Sequence, residues 1–210
     1  MFSPVTLDAQ ETLSSVAMAI PSSTAPLYES ERIQCFPFTL ADFPHLKALH
    51  QHPAVYPTTF TGFSSDERVL EELQEYITEF ETHGISQLKM MTKPVGDSLE
   101  TASASQFVGR VGLQYKQYHP ERDKAYEVRV SLMPEFWGGG IATEVVGKTV
   151  AYAFETMQLP RLVVGFYETN KKSHTIVEKL GFHPLESVTY GEQNVLYYDM
   201  TLAQWQARHV

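Results

Sequence analysis

The segment that most constrains this chain is residues 133–143, Met-Pro-Glu-Phe-Trp-Gly-Gly-Gly-Ile-Ala-Thr. Before it, Tyr126–Met133 alternates and is β-branched enough to be a strand, which Pro134 ends. After it, Ile141, Val145, Val146, Thr149, Ala153 and Phe154 lay an apolar stripe along a helix over Ile141–Met157. The chain must therefore pass from strand to helix through Gly138–Gly139–Gly140. Glycines permit positive φ and bring backbone close to a ligand, so successive amides can face one concavity at the positive end of a helix. Such a turn can hold a phosphate without any lysine. It can equally be a tight connection that binds nothing.

The elements around that segment read as a mixed α/β (α+β) fold with a largely antiparallel sheet. Ile33, Cys35 and Phe36 form a first strand ending at Pro37. Thr39–Asp42 opens a helix carrying Leu46 and Leu49. A longer helix starts at Ser64–Ser65 as N-caps, with Asp66 and Glu67 in its first turn. Val69, Leu73, Tyr76, Ile77 and Phe80 form its apolar face, and Gly84 stops it. Further strands are expected at Gln87–Met91, Phe107–Gln114, Leu162–Phe166 and Val195–Met200, with a short helix Ser173–Leu180 closed by Gly181. The polar stretches Gly96–Gln106 and His119–Lys124 read as a loop and a turn, and 183–194 as a variable segment. Residues 1–30, rich in Ser, Thr, Ala and Pro, are expected to be a partly ordered N-terminal extension, with a short helix over Leu7–Ile20 behind Thr6. Residues 31–210 form one domain, the organisation that 210 residues favour.

Charge narrows the partners. Sixteen Lys+Arg against 25 Asp+Glu give a net −9, which argues against a polyanion such as nucleic acid or an acidic membrane. The deficit is not spread evenly: residues 134–182 carry five acids and five bases, so the glycine segment is locally neutral. The densest acidic stretch is Asp66–Glu81, seven acids against Arg68. Those carboxylates read as a solvated helix face; left unpaired, they would steer a cationic amine. The lone Cys35 cannot form an internal disulfide and reads as core filler. With no apolar run near the roughly 20 residues of a membrane span, and no basic leader, a cytoplasmic protein is expected. His45, His50 and His52 lie close together without a metal-binding spacing, so no metal is expected.

Two glycine-loop readings compete. Gly138-x-Gly140-x-x-Thr143 nearly fits a dinucleotide fingerprint, but Thr143 stands at the third small position, Glu168 comes late, and several strands precede the motif. Downstream, Asn170-Lys-Lys-Ser173 is followed by Glu178-Lys-Leu-Gly-Phe182. A strand with an acidic residue (Glu127), then Pro134, Trp137, Gly138, Gly140, Ala142, Thr143 and Glu144, then Phe154, then Asn170 and Ser173 ahead of Glu178–Phe182, together resemble the GNAT superfamily of N-acetyltransferases. Within it they are most similar to the RimJ/RimL-like branch. The resemblance spans 32–202 and is strongest over 127–182. It departs at Glu135, where many members carry Gln or Arg.

The resemblance implies a splayed, mostly antiparallel sheet flanked by helices, acetyl-CoA as cofactor, and direct attack of a primary amine within a ternary complex. Amides of Trp137–Thr143 (Trp137, Gly138, Gly139, Gly140, Ile141, Ala142, Thr143) would carry the pyrophosphate. Leu132 and Met133 would offer their edge and an oxyanion-binding N–H to the pantetheine arm, and Asn170 would bind that arm. Glu127 would act as base, with Glu192 as a second candidate, and Ser173 would meet the departing thiolate. Trp137 would pack beneath the glycine loop, and one of Tyr115, Tyr118 and Tyr126 would border the acceptor. The acceptor would be a small-molecule or peptide amine, and a homodimer is allowed. A non-catalytic acetyl-CoA-binding sensor of the same fold is the alternative reading.

Overall fold

Strands that alternate near the edge, such as Ile33–Pro37, and a near-continuously buried central one, Phe107–Lys116, build a sheet that ends up in two unequal halves. The computed structural model describes residues 25–60, 62–94, 104–118 and 122–208. The expected helix Leu7–Ile20, most of the 96–106 loop and half of the 119–124 turn lie outside them. Among the described residues eight strands form one sheet: β1 (Tyr28–Glu29), β2 (Ile33–Pro37), β3 (Gln87–Thr92), β4 (Phe107–Lys116), β5 (Ala125–Leu132), β6 (Arg161–Tyr167), β7 (His183–Tyr190) and β8 (Gln193–Thr201). Their spatial order is β1-β2-β3-β4-β5-β6-β8-β7, antiparallel except at β5–β6.

That exception positions the site. The parallel β5–β6 pair is joined only at Tyr126↔Leu162 and Glu127↔Val163, after which the strands part. By contrast β4 and β5 stay in register over eight residue pairs, from Gly109↔Leu132 to Lys116↔Ala125.

Helices cover both sides. On one face α3 (Ile141–Ala151), α4 (Lys171–Leu180) and α5 (Leu202–Arg208) pack on the strands. Val145, Val150, Phe154 and Val177 are buried there with Val111, Leu113, Val128, Leu162 and Met200. On the other face α1 (Phe43–His50) and α2 (Asp66–His83) share a smaller core of Phe38, Leu46, Val69, Leu73 and Tyr76. The α2 ends are those the sequence announces: the Ser65 side chain accepts from Arg68 N–H, and Gly84 takes φ 70° as the left-handed stop.

Several expectations are corrected. The helix expected over Ile141–Met157 is α-helical to Ala151 and finishes as a wide π turn over Tyr152–Thr156. Residues 183–194 are not an irregular segment: they supply β7 and the start of β8. The end of the expected extension is sheet, with Tyr28 opposite Cys35 and its hydroxyl 2.7 Å from Thr149 Oγ1 on α3. Finally, α4 starts at Lys171, two residues before the expected Ser173. Cys35 is buried as expected, and burial pushes its thiol up to about 12. No helix among the described residues is long and apolar enough to cross a membrane.

Candidate active site

The mouth of the split is built by the glycine turn. Gly138 and Gly140 take φ 81° and 78°, the left-handed region that favours glycine, and all three glycines are exposed. A side chain at Gly138 would meet nothing within 4 Å, so the loop is open on that side. The first helical bond of α3 runs from Glu144 N–H to Gly140 O, so the Ile141, Ala142 and Thr143 amides precede the ladder at the positive helix end. This arrangement fits the polyphosphate end of a nucleotide cofactor.

A residue absent from the motif fixes the loop. Arg32, just before β2, donates from Nη1 to Gly139 O (2.9 Å) and from Nε to Glu144 Oε2 (2.7 Å), while its backbone N–H reaches Glu144 Oε1 (3.0 Å). Partial burial alone would raise the Glu144 carboxyl, but Ser30 and Arg32 together hold it below the ordinary range. Glu135 is exposed in the turn Pro134–Phe136.

Trp137 is not simply beneath the loop. Its Nε1–H donates to Leu132 O at 2.9 Å, and Lys172 Nζ of α4 sits 4.5 Å above its ring, so the indole links the two lips of the split. This sharpens the expectation for β5. Met133 N–H bonds Val108 O on β4, and alternation therefore turns the Leu132 and Val130 backbone groups toward the split. Of Leu132 the indole takes the carbonyl, and the N–H faces the opening. On the α4 side Asn170 is the N-cap: its Oδ1 accepts from Ser173 N–H at 3.1 Å. Ser173, the third helical residue, is partly exposed. Ser173 N–H is thus the capped group, and Asn170 is the cap.

On the α1–α2 face the split opens into a cavity of about 410 Å³. Its floor is Glu127, with a side chain only 2% exposed. Lys116 Nζ and Arg129 Nε both approach Glu127 Oε2 at 3.0 Å. Strand geometry explains the trio: Glu127 and Arg129 are two apart on β5, and Lys116 lies diagonally across the β4–β5 ladder on the same face. Gly165 of β6 lets the carboxylate fit, because a β-carbon there would stand 2.6 Å from the Tyr197 ring and 3.3 Å from Glu127 Oε1. Burial, with Arg129 beside it, pushes the Lys116 amine down despite Glu127. Phe60, from the α1–α2 connection, lies under the Arg129 guanidinium (5.8 Å) and meets Tyr167 edge-on (4.8 Å). Tyr118 lines the cavity, whereas the Tyr115 and Tyr126 rings meet each other at a tilt of 41° outside it. Glu192 is exposed at the β7–β8 turn, beside the lining residue Gln193. Among the described residues no group of three or more His, Cys, Asp or Glu side chains could hold a metal ion.

Deeper under α1 and α2 lies a buried polar chain that the sequence does not announce. Arg110 donates from Nη1 to Gln87 Oε1 (2.6 Å) and from Nε to His50 Nε2 (3.2 Å). Glu72 Oε2 lies 2.9 Å from His50 Nδ1, off the axis of its N–H. Because Nε2 accepts, the imidazole is the neutral Nδ1–H form. Burial lowers the His50 pKa, and Arg110 adds to that against the opposing pull of Glu72.

The acids of α2 are largely committed. Asp66 pairs with Lys47, Glu71, Glu72 and Glu75 with Arg68, and Glu79 accepts from Ser86.

Against known proteins, the family model described as an acetyltransferase (GNAT) domain matches residues 32–183. The uncharacterised N-acetyltransferase YoaA of Bacillus subtilis (strain 168) is 25% identical over 177 residues, covering 83% of this chain and 93% of its own. Among solved structures, an acetyltransferase from Agrobacterium tumefaciens str. C58 has a TM-score of 0.67 at 21% identity, covering 84% of this chain and 95% of that one. A spermidine N-acetyltransferase from Vibrio cholerae, in complex with CoA and spermine, has a TM-score of 0.62 at 15% identity, covering 83% and 98%.

Proposed function

This chain belongs to the GNAT acetyltransferase family and is an acetyl-CoA-dependent acyltransferase; from that premise we propose that it is an N-acetyltransferase acting on the primary amine of a small molecule or peptide in a ternary complex. The observation that carries this reading is the two-pair β5–β6 contact, which leaves one split between the open glycine turn on one side and the Glu127 cavity on the other. Cofactor and acceptor can then meet from opposite faces without a covalent enzyme intermediate. We assign residues 31–210 to the catalytic domain. The paired glycine-loop and Asn170–Phe182 motifs support the RimJ/RimL-like branch, and buried, solitary Cys35 supports a reducing, cytoplasmic setting.

Acetyl-CoA supplies the activated acetyl group, which the acceptor nitrogen takes as CoA thiol is released. In the proposal the amides of Trp137–Thr143 hold the pyrophosphate, while Leu132 and Asn170 hold the pantetheine arm; Met133, whose N–H and carbonyl are bonded to Val108 and Phe136, only shapes the bend that ends β5. The Leu132 N–H, turned into the split, binds the oxyanion. An ammonium of pKa about 10 must lose a proton before attack. Lys116 and Arg129 lower that pKa by adding positive charge to the cavity, and Glu127, fixed by both, receives the proton through water. The Ser173 hydroxyl would donate a hydrogen bond to the leaving thiolate, and the proton given up by the amine would neutralise that sulfur through water.

Thiol release from acetyl-CoA across an amine panel tests the reading. Wild type is expected to turn over at least one primary amine, and Glu127→Gln to lose about 10²–10⁴-fold in kcat with acetyl-CoA binding retained. Unchanged kcat in that variant would remove Glu127 from the proton path.

A further inference from the structure

Resting on the amine-acceptor reading, we infer that the acceptor is an α-amino acid with an aromatic or large apolar side chain, whose carboxylate is read by Arg129 and Lys116. Two cations share a single oxygen of a single carboxylate on the cavity floor. Among the described residues lining the cavity there is no second acid, so one positive charge is left over in a chain whose net charge is −9. Of the nearby acids, Glu186 pairs with Arg122, Glu168 with Asn194 and Asp199 with Arg161, while Glu192 stands exposed at the β7–β8 turn and does not line the cavity. The acids of α2, which would have favoured a cationic acceptor, do not line this cavity. A polyamine would bring a further ammonium to a surplus cation.

Position and shape select the same class. Arg129 is two residues past the last β5–β6 pair, where the split begins. Its planar fork keeps donors besides the Nε given to Glu127, and such a fork matches a carboxylate. Its side chain is 21% exposed, so a bound carboxylate would be largely shielded from water, where a charge-assisted bond is strongest. Burial, with Arg129 adding to it, pushes the Lys116 amine down even with Glu127 beside it, and a second carboxylate bound there would oppose that push. Phe60, Tyr118, Tyr167, Tyr190 and Tyr197 supply apolar walls within about 410 Å³, in the usual range for a small-ligand pocket.

The test compares matched acceptors at fixed acetyl-CoA: L-phenylalanine, L-phenylalaninamide, 2-phenylethylamine, L-phenylalanyl-L-alanine and spermidine. In parallel, calorimetry on protein loaded with CoA compares N-acetyl-L-phenylalanine with its amide. The expected result is a kcat/KM for L-phenylalanine at least about tenfold above every other acceptor, and the same order in binding of the N-acetyl pair. Arg129→Met should erase both preferences and Arg129→Lys should keep part of them. Equal or better turnover of the amide, the amine, the dipeptide or spermidine overturns the inference. So does equal binding of the N-acetyl pair to wild type. If no amine releases thiol, the N-acetyltransferase reading falls instead, and calorimetry alone decides the carboxylate.

Discussion

Gly165 shows how much of this site rests on an atom that is missing. Its Cα faces the Tyr197 ring, which is buried and anchored by a hydroxyl bond to Tyr118 O (2.8 Å), and the Glu127 carboxylate lies on the same side. Gly165→Ala must therefore push Tyr197 or Glu127 aside, and overpacking of a buried site costs about 1–3 kcal/mol. Chemical denaturation should show that loss, and acceptor KM should rise more than acetyl-CoA affinity falls, because the strain lies on the acceptor face. Arg32 is the matching case on the cofactor face. Arg32→Ala removes the bond to Gly139 O and leaves Glu144 without its cation, so acetyl-CoA binding should weaken while acceptor KM changes little. At this scale the sequence was half legible. Alternation along Tyr126–Met133 already places Glu127 and Arg129 on one face, so the carboxylate's partner on its own strand was readable. Lys116 and Arg32 were not, since each reaches its partner through a register or a crossing that no local spacing encodes.

Elements were legible where one face is buried. Helix α2 matches its sequence limits because capping and a five-residue apolar stripe agree. Strand β7 was missed because it is an edge strand with Pro184, mostly open on both faces, so no alternation marks it. Helix α4 begins two residues before Ser173 because Asn170, directly ahead of the Lys171–Lys172 pair, supplies the cap. That cap can be separated from cofactor binding: Asn170→Ala should cost about 1 kcal/mol, whereas Asn170→Ser keeps an acceptor for the Ser173 N–H and should cost less than half of that. If both variants lose acetyl-CoA affinity equally, the Asn170 amide group contacts the cofactor; if affinity follows stability, it acts only as a cap. The α1–α2 pair carries a pH signature of its own. His50 titrates lower in the folded protein than its ordinary 6.5, because it is buried neutral beside Arg110. As pH falls through 6.5 the unfolded chain takes up a proton that the folded one does not, so stability falls in that window. Glu72 is held below its ordinary 4.5 and adds a second loss as pH falls further, through its folded pKa. Urea midpoints measured from pH 7.5 to 5 should decline in wild type, and the decline should flatten in His50→Gln, which is less stable at pH 7.5 yet less sensitive to acid.

At the scale of the whole molecule, the sheet is two sheets held by little backbone. Among the described residues five strands lie on one side of the split and three on the other, joined by two residue pairs, the Trp137 bridge and the shared core beneath α3, α4 and α5. The opened edges of β5 and β6 carry backbone donors and acceptors that helices do not satisfy, which is a costly way to end a ladder unless something completes it. A cofactor lying along that edge would add the missing bonds and draw the halves together, so binding and global stability should be linked. At a free acetyl-CoA concentration of 100 times Kd, mass action adds about 2.7 kcal/mol. For a chain of this size about 2–4 °C in Tm accompanies each kcal/mol, so a rise of about 5–10 °C is expected. Amide exchange should slow most at Val130 and Leu132, and much less in β2 and β3, which pair along their length. NAD at the same concentration should leave exchange at Val130 and Leu132 unchanged, since it has no pantetheine arm to follow the β5 edge. A uniform slowing across all strands, or equal protection by NAD, would mean that the ligand touches only the helix end and that the split is a fixed feature of the fold.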